Sequence, residues 1–357
     1  MCFACRNHDG TLVRNCGLGV VMKISRIENQ AFFGFDNAAV VVGSSLIYSL
    51  DFSAAFTSAP FDPVTELLQE EPPERLYRHV DGDEYEFFFK QTPVQMGHVK
   101  AEVVPFNTIH PYNYFHFLIE ALPSFLALVS AGLAGTKSLL VTGVMHENMQ
   151  SALQFALAGV QIPMLQLGLM QYVTCDRVVC APDTFVGAQL RNGGLSEFSY
   201  DIANLSLLRN VFKSLWVPEA ARKGRRIFVE RPSPVRNLVN SDMLAMLAIA
   251  AGYEVVNPGL MSFREQVRLF SSASYICGPT GAWLANLAFV PEGAKVTVFL
   301  PETVGSAPSM WVSLGAAFGV QVDDVLCPVS VRHPKYPIHS DFLVLEDVFR
   351  AAIRRDQ

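Results

Sequence analysis

The sequence is short of charge and has no long run of one sign. Only 17% of its 357 residues are Asp, Glu, Lys or Arg, and the formal net charge is −6. A nucleic-acid binder needs a basic stripe to neutralise phosphates, and none is present. A small anion needs only two or three local arginines, so this exclusion stops at polymers. Long apolar runs are missing too. The most apolar window, 115–135, is interrupted by His116, Glu120 and Pro123, and its unbroken parts are too short to span a bilayer. A buried helix is the expectation there. The first 20 residues hold Arg6, His8, Asp9 and Arg14 without a continuous apolar block, so no secretory leader is expected.

Several ligand fingerprints are incomplete. Gly17-Leu18-Gly19 lacks the third glycine of a dinucleotide-binding turn. Asp81-Gly82-Asp83 and Asp323-Asp324 read as loop charges rather than metal-binding pairs, so no metal site is expected. Seven cysteines are an odd number in a chain too large to need disulfide staples, which fits a reducing compartment. Cys2, Cys5, His8 and Cys16 contain one pair with zinc-ligand spacing. One such pair is a weak signal, and a loose segment with free thiols is the expected reading.

Half the residues are hydrophobic, enough for large cores. At roughly 150 residues per domain the chain predicts two. The N-terminal third reads as strands, including 84–90 and 98–105, around a Pro- and Glu-rich connection over 57–75. Helical spacing takes over at 113–131. A strand over 139–142, a helix over 147–158 closed by Gly159 and strands over 164–167 and 172–180 follow. A long amphipathic helix is predicted over 196–216, with the domain junction at 217–224. The C-terminal part alternates strand and helix. Strands fall at 226–229, 253–256, 275–277 and 295–300. Helices open at Asn240 or Ser241, at the capping box Ser262-x-x-Glu265 and at Ala282. Alternating units of this length predict a parallel sheet between helices. The expected domains are 1–216, 217–335 and a C-terminal helix in 336–357, with the N-terminal domain as the candidate surface for it.

Three places could carry chemistry. Gly278-Pro279-Thr280-Gly281 follows a strand and opens a helix, where glycine admits a close ligand and unpaired N–H groups favour an anion. An ordinary tight turn is the competing reading. Arg231 and Arg236 follow the first strand of the C-terminal half, at the sheet end where ligands collect. Guanidinium groups bind phosphate oxygens in bidentate fashion. Arg225 and Arg226 read as surface charges. In His110-Pro-Tyr-Asn113-Tyr-Phe-His116-Phe-Leu-Ile-Glu120, His116 and Glu120 share one helix face. They suit a general base and its orienting partner. A satisfied core histidine beside a helix-face glutamate competes with that reading.

The stretch 113–123 resembles the N-[YF]-x-H-[FW]-L-x-[DE]-x-L-P signature of glycosyltransferase family 61, whose relatives include plant xylosyltransferases and animal O-linked N-acetylglucosaminyltransferases. Arg231 and Arg236-Asn237 match its paired arginines. Gly252-Tyr-Glu-Val-Val-Asn-Pro258 is similar to G-[FY]-E-V-V-x-P. Ser262-x-x-Glu265-Gln266 follows its helix pattern. Gly278-Pro-Thr-Gly-Ala-Trp-Leu-Ala-Asn286 is similar to G-x-H-G-A-G-L-x-N. Thr280 replaces the family histidine and Trp283 a glycine, and the glutamate often found after the last strand is absent. The chain therefore reads as a divergent enzyme with altered donor choice, or as an inactive glycan- or nucleotide-binding relative.

The resemblance implies an α/β fold of two Rossmann-like domains in the GT-B arrangement. It implies inverting, metal-independent transfer from a nucleoside-diphosphate sugar, a UDP-sugar first, to a glycan hydroxyl, with no cofactor. His116 and Glu120 would be catalytic, and His110 and Asn113 would lie on the acceptor side. Arg231, Arg236, Glu265, Gly278, Thr280, Gly281, Ala282 and Asn286 would bind the donor, Asn286 with bracing of the turn as its other reading. The expected setting is cytoplasmic, with peripheral membrane contact or a lumenal domain of a Golgi or ER enzyme as alternatives.

Overall fold

A computed structural model describes residues 5–6, 12–13, 19–26, 32–44, 46–57, 75–81, 84–89, 92–106, 110–181, 184–189, 195–219, 224–302, 310–334 and 339–354. The side chains of 5–6, 12–13, 19–26, 57, 75–81, 84–89, 185–189 and 195–198 are outside that description, as are Cys2, His8 and Cys16. The zinc question therefore lies outside the described residues, and so does most of the 57–75 connection. The chain forms two compact units, Met1–Gly193 and Gly194–Gln357.

The first unit is built on ten strands: β1 (Gly19–Arg26), β2 (Phe33–Val41), β3 (Ile47–Ser49), β4 (Ala54–Thr57), β5 (Arg75–Asp81), β6 (Glu84–Phe89), β7 (Val94–Phe106), β8 (Ser138–Gly143), β9 (Met164–Leu167) and β10 (Gln171–Cys180). Their order is β9-β8-β7-β10-β2-β3-β4-β1-β6-β5. Only the β9-β8-β7-β10 portion is parallel throughout. The rest is mostly antiparallel, so this sheet is mixed. β-Branched and small residues such as Val40, Val103, Val141, Val173 and Val178 form its buried core.

A helical segment, α1 (114–130), connects β7 to β8. Its Phe117 and Phe125 rings lie 5.5 and 5.8 Å from Phe106 at the end of β7. The segment is not a uniform α-helix, because Phe117–Ala121 forms a π turn in which the Leu122 N–H reaches back to the Phe117 carbonyl. Pro123 supplies the reason. It has no N–H to continue the ladder, and its ring crowds the carbonyl of Ile119, so the turn before it widens. α2 (Glu147–Ala156) connects β8 to β9. No helix among the described residues is long and apolar enough to cross a membrane.

The second unit has a five-stranded parallel sheet: β11 (Arg225–Val229), β12 (Glu254–Val256), β13 (Ala273–Pro279), β14 (Lys295–Pro301) and β15 (Gln321–Cys327), in the order β12-β11-β13-β14-β15. This is a doubly wound order. It reverses between β11 and β13 and opens a crevice at their carboxyl ends. α3 (Ile202–Phe212), α4 (Ser241–Ala250), α5 (Phe263–Phe270), α6 (Met310–Ala317) and α7 (Glu346–Arg354) surround the sheet. Phe228 and Phe299 pack on Phe349 of α7, with ring centroids 5.5 and 5.8 Å apart. A separate edge-to-face cluster of Phe212, Phe263 and Phe289 unites α3, α5 and the run 282–289.

Three elements differ from their sequence reading. The helix expected over 196–216 is a strand, Leu195–Tyr200, followed by α3. Asp201 starts that helix by accepting the Asn204 N–H at 3.0 Å. α3 packs within the second unit rather than closing the first. The C-terminal helix expected within 336–357 begins only at Glu346, because Asp341–Phe342 pairs with Val329–Val331. Through Phe349 this helix covers the second unit's own sheet. Finally, Ala282–Phe289 is a 3-10 helix.

Candidate functional site

The first unit brings the predicted catalytic pair together just beyond β7. His116 Nδ1 and Glu120 Oε1 are 2.7 Å apart, and both side chains are about four-fifths buried, with 24% and 20% exposed. Nearly every neighbour along the segment is apolar: Phe115, Phe117, Leu118, Ile119 and Leu122 are buried. The pair therefore keeps its polar atoms on the one stripe that reaches solvent. The exposed His110 ring lies 4.7 Å from the His116 ring. Three predicted residues thus form one cluster. Asn113 has a backbone task instead, since its side-chain oxygen caps α1 by accepting the Phe115 N–H at 2.8 Å. Tyr114, whose phenol is held well above its ordinary pKa by burial, stands 5.9 Å from the His146 ring. Beside the cluster lies a small hollow lined by Phe106, Pro111, Phe117, Ala121, Gly143, Met145 and Met149. Its walls are apolar.

The second unit brings Arg231 and the glycine turn together at the sheet's reversal point. A Cβ added to Gly281 would fall 2.6 Å from Arg231 Nε, and one on Gly278 would meet Val229 at 2.8 Å. Val229, with its backbone carbonyl, leaves room only for glycine at 278, whereas a Cβ at 281 would push the Arg231 side chain aside. Arg231 donates to the Arg236 carbonyl at 3.1 Å, to Ser233 Oγ at 2.8 Å and to the Val235 carbonyl at 3.3 Å. It ties the loop 231–236 into a ring while using three of its five N–H donors. Arg236 is held at φ 57°, a left-handed conformation that a side chain disfavours. Its buried Nε has no hydrogen-bond partner.

Both arginines are partly buried, and among the described residues neither is paired with a carboxylate. Burial, with the charge of Arg236 added, lowers the Arg231 pKa to about 10, and burial lowers that of Arg236. Both stay charged at neutral pH. Two desolvated cations without a counter-charge are costly, and an anion would offset that cost.

Other expected donor residues have internal partners. Thr280 is 2% exposed. Its hydroxyl accepts the Trp311 Nε1–H at 3.1 Å, and its N–H donates to the Phe299 carbonyl. It therefore fixes the turn from below. Trp283 is buried, stacked on Phe270, and donates to the Pro279 carbonyl at 2.7 Å. It packs against the turn through that bond. Asn286 is fully buried and donates to Gln266 Oε1 at 2.9 Å. Glu265 closes the capping box by accepting from the Ser262 N–H and hydroxyl at 2.8 and 2.7 Å, which lowers its pKa. Ala282 remains half-buried at the mouth of the turn. Arg225 pairs with Glu254 at 3.2 Å, and Arg226 donates to the Ala251 carbonyl, so both have the surface roles expected of them.

Sequence spacing missed His333, His339 and Trp311. Trp311 reaches the turn and His339 the arginine loop, with His333 against His339, all from far along the chain where no local pattern points to them.

No curated protein matches the chain at a significant level. The family model described as Glycosyltransferase 61 matches residues 114–297, a span that holds the His116–Glu120 pair, both arginines and the glycine turn. By that match over half its length, the chain belongs to glycosyltransferase family 61.

Proposed function

We propose that this glycosyltransferase moves a sugar from a nucleoside-diphosphate donor, a UDP-sugar first, to a glycan hydroxyl, with inversion and without a metal ion. The observation that carries this reading is a pair of partly buried arginines, Arg231 packed on Gly281 and Arg236 acting on Arg231, neither paired with a carboxylate among the described residues. They supply fixed positive charge where a departing nucleoside diphosphate needs it, the task a metal ion performs in other transferases. On the first unit the His116–Glu120 pair takes the acceptor's proton. Glu120 orients the imidazole and stabilises its charged form once the proton is gained. The activated oxygen attacks the anomeric carbon, the bond to the diphosphate breaks, and the electron pair leaves with the phosphate oxygen. In this reading the two units follow the family's GT-B plan, with acceptor chemistry on the first and donor binding on the second.

The test is transfer or donor hydrolysis with a panel of nucleotide sugars, each assayed in chelator and again with magnesium or manganese. Full activity in chelator is the expected result. Activity that appears only with the divalent ion overturns the metal-free mechanism. A donor bound equally well after Arg231→Ala and Arg236→Ala removes the arginines from the site.

A further inference from the structure

The arginine loop has a second wall contributed by the C-terminal segment. The Arg236 N–H donates to the His339 carbonyl at 3.1 Å, and the Asn237 N–H donates to Asp341 Oδ1 at 2.7 Å. Phe342 N–H donates to the Asn237 carbonyl and Val239 N–H to the Phe342 carbonyl, both at 2.9 Å. Asn240 completes the seam with two bonds to Val344. This seam holds Arg236 in its unfavourable backbone conformation, since strain persists only where surrounding bonds over-determine it. It also brings two histidines to the loop. The His339 and His333 rings meet edge to face, centroids 5.4 Å apart at 81°, and the His333 N–H donates to Ser340 Oγ at 3.0 Å.

Among the described residues, the surroundings of His339 discourage its charge. Burial comes first, followed by the positive charges of Arg236, His333 and Arg231. The nearest acid on the same segment, Asp341, is engaged by the Asn237 amide. The cluster therefore sets two permanent cations beside the imidazole of His339, a side chain able to take up a proton. A dianion entering it would reverse the field at His339.

We propose that His339, backed by His333, is a third ligand of the donor diphosphate beside Arg236, and that diphosphate binding takes up a proton. This rests on reading Arg231 and Arg236 as the donor-phosphate site. The arginines are charged already and cannot gain a proton. The imidazole can, and once protonated it donates from both ring nitrogens. Donor affinity then rises as the pH falls, and release of the nucleotide returns the proton.

The experiment is titration calorimetry with three diphosphate diesters: UDP-glucose, GDP-mannose and ADP-ribose. Each keeps its phosphate charges fixed across neutral pH. Titrations at about pH 6 and pH 8, in buffers of different ionisation enthalpy, count the protons exchanged. The expected result for the diester that binds is net proton uptake and several-fold tighter binding at the lower pH, within the limit of about tenfold per pH unit for one linked proton. His339→Gln should bind with the weaker affinity at both pH values and without proton uptake. His339→Lys should keep the tighter affinity at both. Thermal melts of each variant establish that it is folded, and the Lys variant serves if the Gln variant is not. Arg236-dependent binding without proton uptake, or with the same pH dependence in a folded His339 variant, overturns the histidine's role and leaves the donor site standing. No binding of any diester, or binding indifferent to Arg236→Ala, overturns the donor site itself and the histidine's role with it.

Discussion

Arg231 lies so close over Gly281 that a Cβ on the glycine would sit 2.6 Å from the guanidinium Nε. The arginine that closes the loop 231–236 and the glycine that opens the turn therefore form one contact, although they lie far apart in the chain. Gly281 has φ 168°, an extended conformation open to any residue. Its constraint is space and not backbone strain.

Gly281→Ala should consequently act through Arg231. The guanidinium must move, and its bonds to the Arg236 carbonyl, Ser233 and the Val235 carbonyl go with it. A bond to a charged group contributes about 1.5–3 kcal/mol. Nucleotide affinity should fall roughly tenfold or more, with a lower melting temperature. Calorimetry and a thermal melt on the same sample check both; unchanged affinity would show that Arg231 is dispensable for the diphosphate.

Arg236→Gly should separate binding from stability. Glycine relieves the left-handed backbone at φ 57° and removes a buried cation with an unpartnered Nε. Greater freedom of the unfolded chain opposes this by about 0.5–1 kcal/mol. The ligand-free protein should melt within a few degrees of the parent, while diphosphate affinity drops by roughly tenfold or more. A large loss of stability would mean that the Arg236 side chain holds the loop rather than the ligand.

Glu120→Gln and His116→Ala should leave nucleotide binding nearly intact, because the proposed donor residues belong to the second unit. Turnover should fall about 100-fold or more for the base. If the pair only satisfies the helix, stability falls instead and activity tracks the folded fraction. Single-turnover rates measured beside melting curves distinguish the outcomes, and full turnover in either folded variant excludes that residue as the base.

Arg209→Ala should destabilise the second unit without touching the proposed chemistry. From α3 the guanidinium donates to the carbonyls of Ala288, Phe318 and Val290 and lies over the Trp216 and Phe318 rings, 5.2 and 5.3 Å from their centroids. Removing it strands those carbonyls at a cost of about 3 kcal/mol. Urea unfolding should show an earlier midpoint. Lysine should not rescue it, because an ammonium cannot fork across three carbonyls and two rings. A midpoint equal to the parent's would sink this role.

The sequence by itself determined whatever a local period or cap controls. The alternating units of the second half appear in order because Gly252 ends one helix and Ser262 with Glu265 opens the next. His116 and Glu120 were bound to share a face, since four residues on a helix bring side chains together even across the π turn that Pro123 induces. The order of the family motifs was legible for the same reason: each is a short contiguous stretch.

Tertiary structure decided which of those residues face outward and which are spent internally. Thr280 and Asn286 look like ligand groups in a glycine-rich turn, yet Trp311 and Gln266 claim them from other elements. Tyr200 and Asp201 sit inside an amphipathic pattern that reads as helix, but strand pairing and an N-cap end the strand and start the helix there. The long mixed sheet of the first unit was illegible because antiparallel partners such as β2 and β10 are joined only by register, which no single segment encodes. His339 meets Arg236 through backbone bonds formed after the chain has wrapped the sheet. Local sequence fixes periodicity and end-capping; the pairing of distant polar groups is settled only when burial forces each one to find a partner.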